Sequence, residues 1–217
     1  MSYGLKVMIV LLFTVGISPT LAQDRSELRD SIRTLSNLIE SNADSVDLHL
    51  RKAALHVALD DWNFALDEYT IILNHYPNNP AALYYRAFVL SKMKRYAMSR
   101  NDYEHYIRII PNDYNARIGL AMVNIKDGRE MEAYDQVNNI IEMFPDSAMS
   151  YSIRAEMMEK KGMLEAAIYD YSMAIERDPE NMSFLQARAD LYKRTKQSKN
   201  ERLDRQKLGY LYRMKHN

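Results

Sequence analysis

An all-α array of stacked helix pairs is the fold class that this sequence predicts, and three observations predict it. Glycine and proline number only six each in 217 residues, too few turn-formers for a strand-rich chain. Four prolines, Pro77, Pro111, Pro145 and Pro179, stand 34 residues apart, and five alanines, Ala53, Ala87, Ala121, Ala155 and Ala189, keep the same step. Two further columns follow it: Ala65, Ser99, Ala133 and Ala167, then Tyr69, Tyr103, Val137 and Tyr171. Recurrence at this period marks one helix–turn–helix unit repeated along the chain.

Each column has a physical reason. The Ala53 column falls in the first helix of a pair and the Ala65 column in the second, 12 residues on. Small side chains at both places let the two backbones approach closely, as ridges-into-grooves packing at short distance requires. The Tyr69 column fills the space between one pair and the next. Each proline ends a second helix, because it cannot continue the hydrogen-bond ladder. Gly128 and Gly162 lie between the two helices, where a left-handed residue is useful; Asp60 and Lys94 hold that place in the first two repeats and tolerate it less well.

These residues resemble the tetratricopeptide-repeat (TPR) family. The unit 148–181 carries the pattern most fully, with Tyr151, Ala155, Gly162, Ala167, Tyr171, Ala174 and Pro179. The resemblance covers four repeats, 46–79, 80–113, 114–147 and 148–181, together 46–181. Residues 182–217 read as a degenerate fifth repeat and basic C-terminal capping helix. It keeps Ala189 and Tyr192 but has Glu201 and Arg205 where Ala and Tyr are expected. Residues 23–45 read as an N-terminal cap, with a helix over 26–41 whose Leu28, Ile32, Leu35, Leu38 and Ile39 recur at helical spacing. The resemblance implies a right-handed α-solenoid with the first helix of each pair lining a concave face.

On that basis the candidate partner-binding positions are Leu50, Arg51 and Ala54; Tyr84, Tyr85 and Phe88; Ile118, Gly119 and Met122; and Ser152, Ile153 and Glu156. This set is aromatic and aliphatic in its middle, which suits apolar side chains of a peptide or helix. Gly119 leaves room for a partner backbone. Some TPR chaperone cofactors grip a C-terminal carboxylate through Lys, Asn and Arg at such places. Here Leu50, Ala54, Tyr85, Asn115 and Gly119 stand there, and that grip is missing.

A charged column, Lys52, Arg86, Leu120, Arg154 and Arg188, invites an anion-binding reading. A second column 16 residues later, Glu68, Asp102, Gln136, Asp170 and Asp204, changes with it, and where the first is Leu120 the second is neutral Gln136. Ion pairs within each repeat, Lys52–Glu68, Arg86–Asp102, Arg154–Asp170 and Arg188–Asp204, explain both columns, because each acid neutralises its base.

Composition bounds the rest. With 29 basic and 29 acidic residues, wholesale electrostatic binding to nucleic acid is not expected. Cysteine is absent, so no disulfide, thiolate nucleophile or lipid-bearing cysteine is available. His49, His56, His75, His105 and His216 do not pair at the four-residue step of a helical metal site, and no metal or cofactor is expected. His56 falls where repeats bury an aromatic and reads as a satisfied core histidine. No nucleophile elbow, phosphate loop or zinc motif occurs, so an enzyme is not expected. Residues 1–22 read as a signal peptide: Lys6, the apolar run from Val7 to Ile17, Pro19, then Thr20-Leu21-Ala22 before Gln23. The expectation is therefore an exported, periplasmic or secreted scaffold that binds a peptide or helix of another envelope protein, with a self-associating structural protein as the alternative. From Lys193 to Asn217 there are nine Lys or Arg against two acids, and a weak contact of this basic end with an anionic envelope surface is a further expectation.

Overall fold

The first helix of a pair leaves amide N–H groups without acceptors, and the chain supplies one acceptor at each start: Ser45, Asn79, Asp113, Ser147 and Asn181, again 34 residues apart. Each of these side chains accepts from an amide two or three residues on, and Pro80 follows Asn79 at a position that needs no N–H. This column of caps is disguised in the sequence, because three residue types, Ser, Asn and Asp, share one role.

The computed structural model describes residues 21–216, with side chains from residue 24. Among the described residues there are eleven helices and no strand: α1 (Leu21–Ser41), α2 (Val46–Ala58), α3 (Trp62–His75), α4 (Pro80–Lys92), α5 (Tyr96–Ile109), α6 (Tyr114–Lys126), α7 (Glu130–Met143), α8 (Ala148–Lys160), α9 (Leu164–Arg177), α10 (Met182–Arg194) and α11 (Ser198–His216). They divide into two compact units, one ending at Asn112 and the other beginning at Asp113. In the first, α1 to α5 each pack on their chain neighbours; in the second, α6 to α11 do the same. The positive start and apolar run of the expected signal peptide lie outside the described residues.

The small-residue columns occupy the helix–helix contacts. Ala53, Ala65, Ala87 and Ser99 in the first unit are fully buried, as are Ala121, Ala133, Ala155, Ala167 and Ala189 in the second. Ser99 is polar at a sealed position, and its hydroxyl donates to the Ala87 carbonyl oxygen at 2.7 Å. Around these contacts the first unit buries Tyr69, Ile72, Leu83, Val89 and Leu90. The second has two clusters, one around Val137, Ile140, Ile153 and Met157, the other around Met158, Tyr171, Leu185 and Leu191. On α1, Leu28, Ile32, Leu35 and Ile39 are half-buried, but Leu38 is exposed. Among the described residues α1 packs chiefly on α2, and a stripe this wide leaves one residue out.

One backbone turn closes every pair. Asp60, Lys94, Gly128, Gly162 and Lys196 all have φ between 60° and 76°. In each case the amide after the left-handed residue donates back across the last helical turn. Arg95 N–H reaches Leu90 O at 2.8 Å and Met163 N–H reaches Met158 O at 2.9 Å, while Lys94 and Gly162 donate to Ser91 O and Glu159 O. This is the Schellman arrangement, which satisfies carbonyls that the helix end orphans. The non-glycine residues Asp60, Lys94 and Lys196 carry the steric cost of the left-handed region, ~1–2 kcal/mol each.

A Cβ added at Gly162 meets nothing within 4 Å, so Gly162→Ala tests conformation alone. Thermal melts should show Gly162→Ala destabilised by about 1 kcal/mol and Lys94→Gly stabilised, with Lys94→Ala near neutral.

Candidate functional site

In the first unit the candidate positions lie on α2 and α4. Leu50 and Ala54 are half-buried, and Arg51 is exposed, its Nε 3.0 Å from Asp47 one turn earlier. Tyr84 is half-buried, and its ring lies 5.8 Å from Tyr103, 5.5 Å from Tyr106 and 5.2 Å from Tyr85, between centroids. Tyr85 stacks on Tyr69 at 6.0 Å, and Phe88 meets Trp62 edge-on at 6.4 Å while Lys92 Nζ stands 5.2 Å above its ring. Both Tyr85 and Phe88 keep part of their surface open. Burial pushes the phenols of Tyr69, Tyr85 and Tyr103 upward, so they remain protonated near neutral pH.

In the second unit Ile118 and Met122 are half-buried and rest on the cluster around Val137 and Ile140. Gly119 is also half-buried. Ile153, expected to face a partner, is only 6% exposed and belongs to that same cluster. Ser152 is buried too, its hydroxyl donating to Met149 O, and Glu156 is exposed. The expectation for Ile153 is corrected on this ground: one turn of α8 that faces α7 cannot also face a ligand.

The charged columns meet within their pairs. Arg86 Nε and Nη2 donate to the two oxygens of Asp102 at 2.7 and 2.8 Å. Arg154 does the same to Asp170 at 2.8 and 2.7 Å, and Arg188 to Asp204 at 2.9 and 2.7 Å. Lys52 Nζ lies 2.8 Å from Glu68 Oε1. The third guanidinium nitrogen of Arg154 donates to Asn138, and that of Arg188 to Ser172, both 16 residues back on the preceding second helix. All three nitrogens of these two arginines are thereby engaged, which leaves little for an anion. The hydrogen bond to Asp170 raises Arg154 further above its ordinary value against the opposing effect of burial. In the uncharged repeat Gln136 accepts from Asn124 at 3.0 Å beside buried Leu120.

No protein-family model and no curated protein matches the chain. Solved structures do. MamA (residues 41 to the end) from Desulfovibrio magneticus RS-1 superposes with a TM-score of 0.69 at 19% identity, over 79% of this chain and 97% of that one. A tetratricopeptide repeat protein from Parabacteroides merdae ATCC 43184 superposes at 0.65 and 18% identity, over 88% of this chain and 75% of the other. The chain has the TPR fold. YrrB, a TPR protein described as having an unusual peptide-binding site, superposes at 0.61 and 16% identity, over 82% of this chain and 91% of that one.

Two histidines depart from the TPR pattern of apolar packing. His49 is buried, its Nδ1 2.5 Å from Glu68 Oε2 and its Nε2 2.8 Å from Ala43 O, so Glu68 serves His49 and Lys52 together. No repeated column signals this contact, because His49 has no histidine counterpart in later repeats. His56 stacks on Phe64 at 5.1 Å, and its Nδ1 has no hydrogen-bond partner among the described residues; Asp61 is 3.6 Å away, beyond hydrogen-bond reach. The expectation of a satisfied histidine is therefore corrected: desolvation dominates and holds His56 below the usual histidine value, against the raising influence of Asp61 and Glu68, with Lys52 lowering it further.

The TPR charge pairs and His56 each yield a measurable outcome. Arg154→Leu and Asp170→Asn should each destabilise, since the Asp170 side chain is only 5% exposed and loses its partner either way. The double variant should recover part of the loss, with a coupling of at least ~0.5 kcal/mol in a double-mutant cycle. Strictly additive losses would instead release Arg154 as an anion-binding group. For His56 the folded state binds fewer protons than the unfolded state below the usual histidine value, so stability is lost as pH falls through that range towards the folded value. His56→Leu, which copies Leu90 of the next repeat, should therefore show a smaller drop in Tm between about pH 7.5 and pH 5.5 than the parent.

Proposed function

We propose that this chain is an exported, periplasmic or secreted, scaffold or adaptor that holds a peptide or helix of another protein against the first helices of its repeats. The observation that carries the reading is on α4. Tyr85 and Phe88 carry flat apolar rings that are only half-buried, and each is braced by another aromatic, Tyr69 or Trp62. Braced rings offer contact area at little cost in side-chain entropy, which suits recognition of apolar side chains. Leu50 and Ala54 on α2 extend the apolar surface of that unit, while Ile118, Gly119 and Met122 supply a half-buried apolar surface in the other. Export rests on the charged start, apolar run and small residues before Gln23. The fold is compatible, as YrrB, described as having a peptide-binding site, shares it.

A photoreactive phenylalanine at Phe88, introduced in the full chain in its native cells, tests this reading. Irradiation should yield one defined adduct with a different polypeptide, and the same probe at Tyr169, an exposed position on α9, should not. Tyr85→Ser should abolish the adduct. The adduct should fractionate outside the cytoplasm, on a chain that begins at Gln23 by intact mass. An adduct with the mass of two copies would assign the surface to self-association; no adduct, or equal adducts from Tyr169, would overturn the reading, and a chain retaining residues 1–22 would overturn cleavage.

A further inference from the structure

Among the described residues, α11 presents a face that no other element covers. On α11 the inward residues are Asp204, paired with Arg188, and Leu208 and Leu211, which rest on the core of the second unit. The outward side carries Leu203, Tyr210 and Met214, which are 53%, 54% and 65% exposed. At about 100° per residue these three fall within roughly 40° of one another, on one stripe of the helix. Lys199, Arg202, Lys207 and Arg213 flank that stripe, and none of them forms an ion pair with another described residue. The two acids of α11 are turned away: Asp204 is buried on Arg188, and Glu201 is held by Arg205.

We propose that α11 is a membrane-surface helix, which lays Leu203, Tyr210 and Met214 into the headgroup boundary of an anionic bilayer with Lys199, Arg202, Lys207 and Arg213 on lipid phosphates. An acid-free face with an apolar stripe between unpaired cations is the pattern of an interfacial helix. Tyrosine suits that depth, with an apolar ring and a polar tip. The cations complement anionic lipid directly, and each contributes about fivefold in partition near such a surface. A second copy of the chain fits less well. From Leu203 to Met214 the stripe is about 16 Å long and about one helix, roughly 10 Å, wide, well short of the ~800 Å² per partner that a stable protein interface needs. The inference is independent of the reading of Tyr85 and Phe88, which lie on another helix.

Co-sedimentation of the purified full chain with vesicles tests it. Mixed phosphatidylcholine–phosphatidylglycerol vesicles should bind the chain at least about tenfold more tightly than phosphatidylcholine alone, and added salt should weaken the binding. Lys207→Glu with Arg213→Glu should lower the affinity at least about tenfold, and Tyr210→Ser with Met214→Ser should lower it at all salt concentrations. These side chains are exposed, so helicity and melting should be unchanged in both variants. Equal binding to both vesicle types, or no loss in the variants, overturns the proposal. Concentration-dependent dimerisation that disappears in Tyr210→Ser with Met214→Ser, without vesicle binding, would assign the face to a second copy.

Discussion

The close approach of the two helices in each pair is the constraint on which everything else in this chain depends. Ala53 with Ala65 and Ala155 with Ala167 are completely buried, and a larger side chain at either place would hold the backbones apart. Where the column departs from alanine, at Ser99, the hydroxyl adds one atom and immediately needs an acceptor, which the Ala87 carbonyl provides. Close approach also demands a very short connection. The left-handed residue and its two back-reaching amides supply it, even where the residue is Asp60, Lys94 or Lys196 and the backbone is strained. Packing therefore outweighs the local preference of those residues by more than the cost of their φ.

With backbone distance fixed, residues 16 apart on the two helices come within reach of each other, and the charged columns follow. Three of the four pairs are two-pronged arginine–carboxylate contacts whose acids are nearly sealed from solvent. At such depth a pair gives modest net stability, because desolvation offsets much of the attraction, but a lone member is costly. That asymmetry explains why base and acid change together, and why Leu120 stands with an amide that finds Asn124 instead. Arg154 and Arg188 also reach the second helix of the preceding pair, so the contact that closes one hairpin fastens it to its neighbour.

Surfaces are what remain after these demands are met. Ile153 stands at a position that a repeat leaves available for ligands, yet it is taken up by packing within its own unit. Tyr84, Tyr85 and Phe88, each packed on other aromatics, remain half-buried. On α11, Leu203, Tyr210 and Met214 are exposed among the described residues, and cations border that stripe.

The all-α class was legible in the recurrence of Ala53, Ala65, Tyr69 and Pro77, because each column answers a need that every repeat has. The sequence also paired base with acid, since covariation between columns survives in a single chain that repeats itself. The caps Ser45, Asn79, Asp113, Ser147 and Asn181 were present but disguised, as several side chains accept the same hydrogen bond. Features that occur once were settled by packing in three dimensions. The joint claim of His49 and Lys52 on Glu68, the unpartnered Nδ1 of His56, the burial of Ile153 and the packing of Phe88 on Trp62 have no counterpart to compare along the chain. Periodicity reveals what every repeat must do; the contacts of a single repeat depend on which side chains its particular neighbours leave room for.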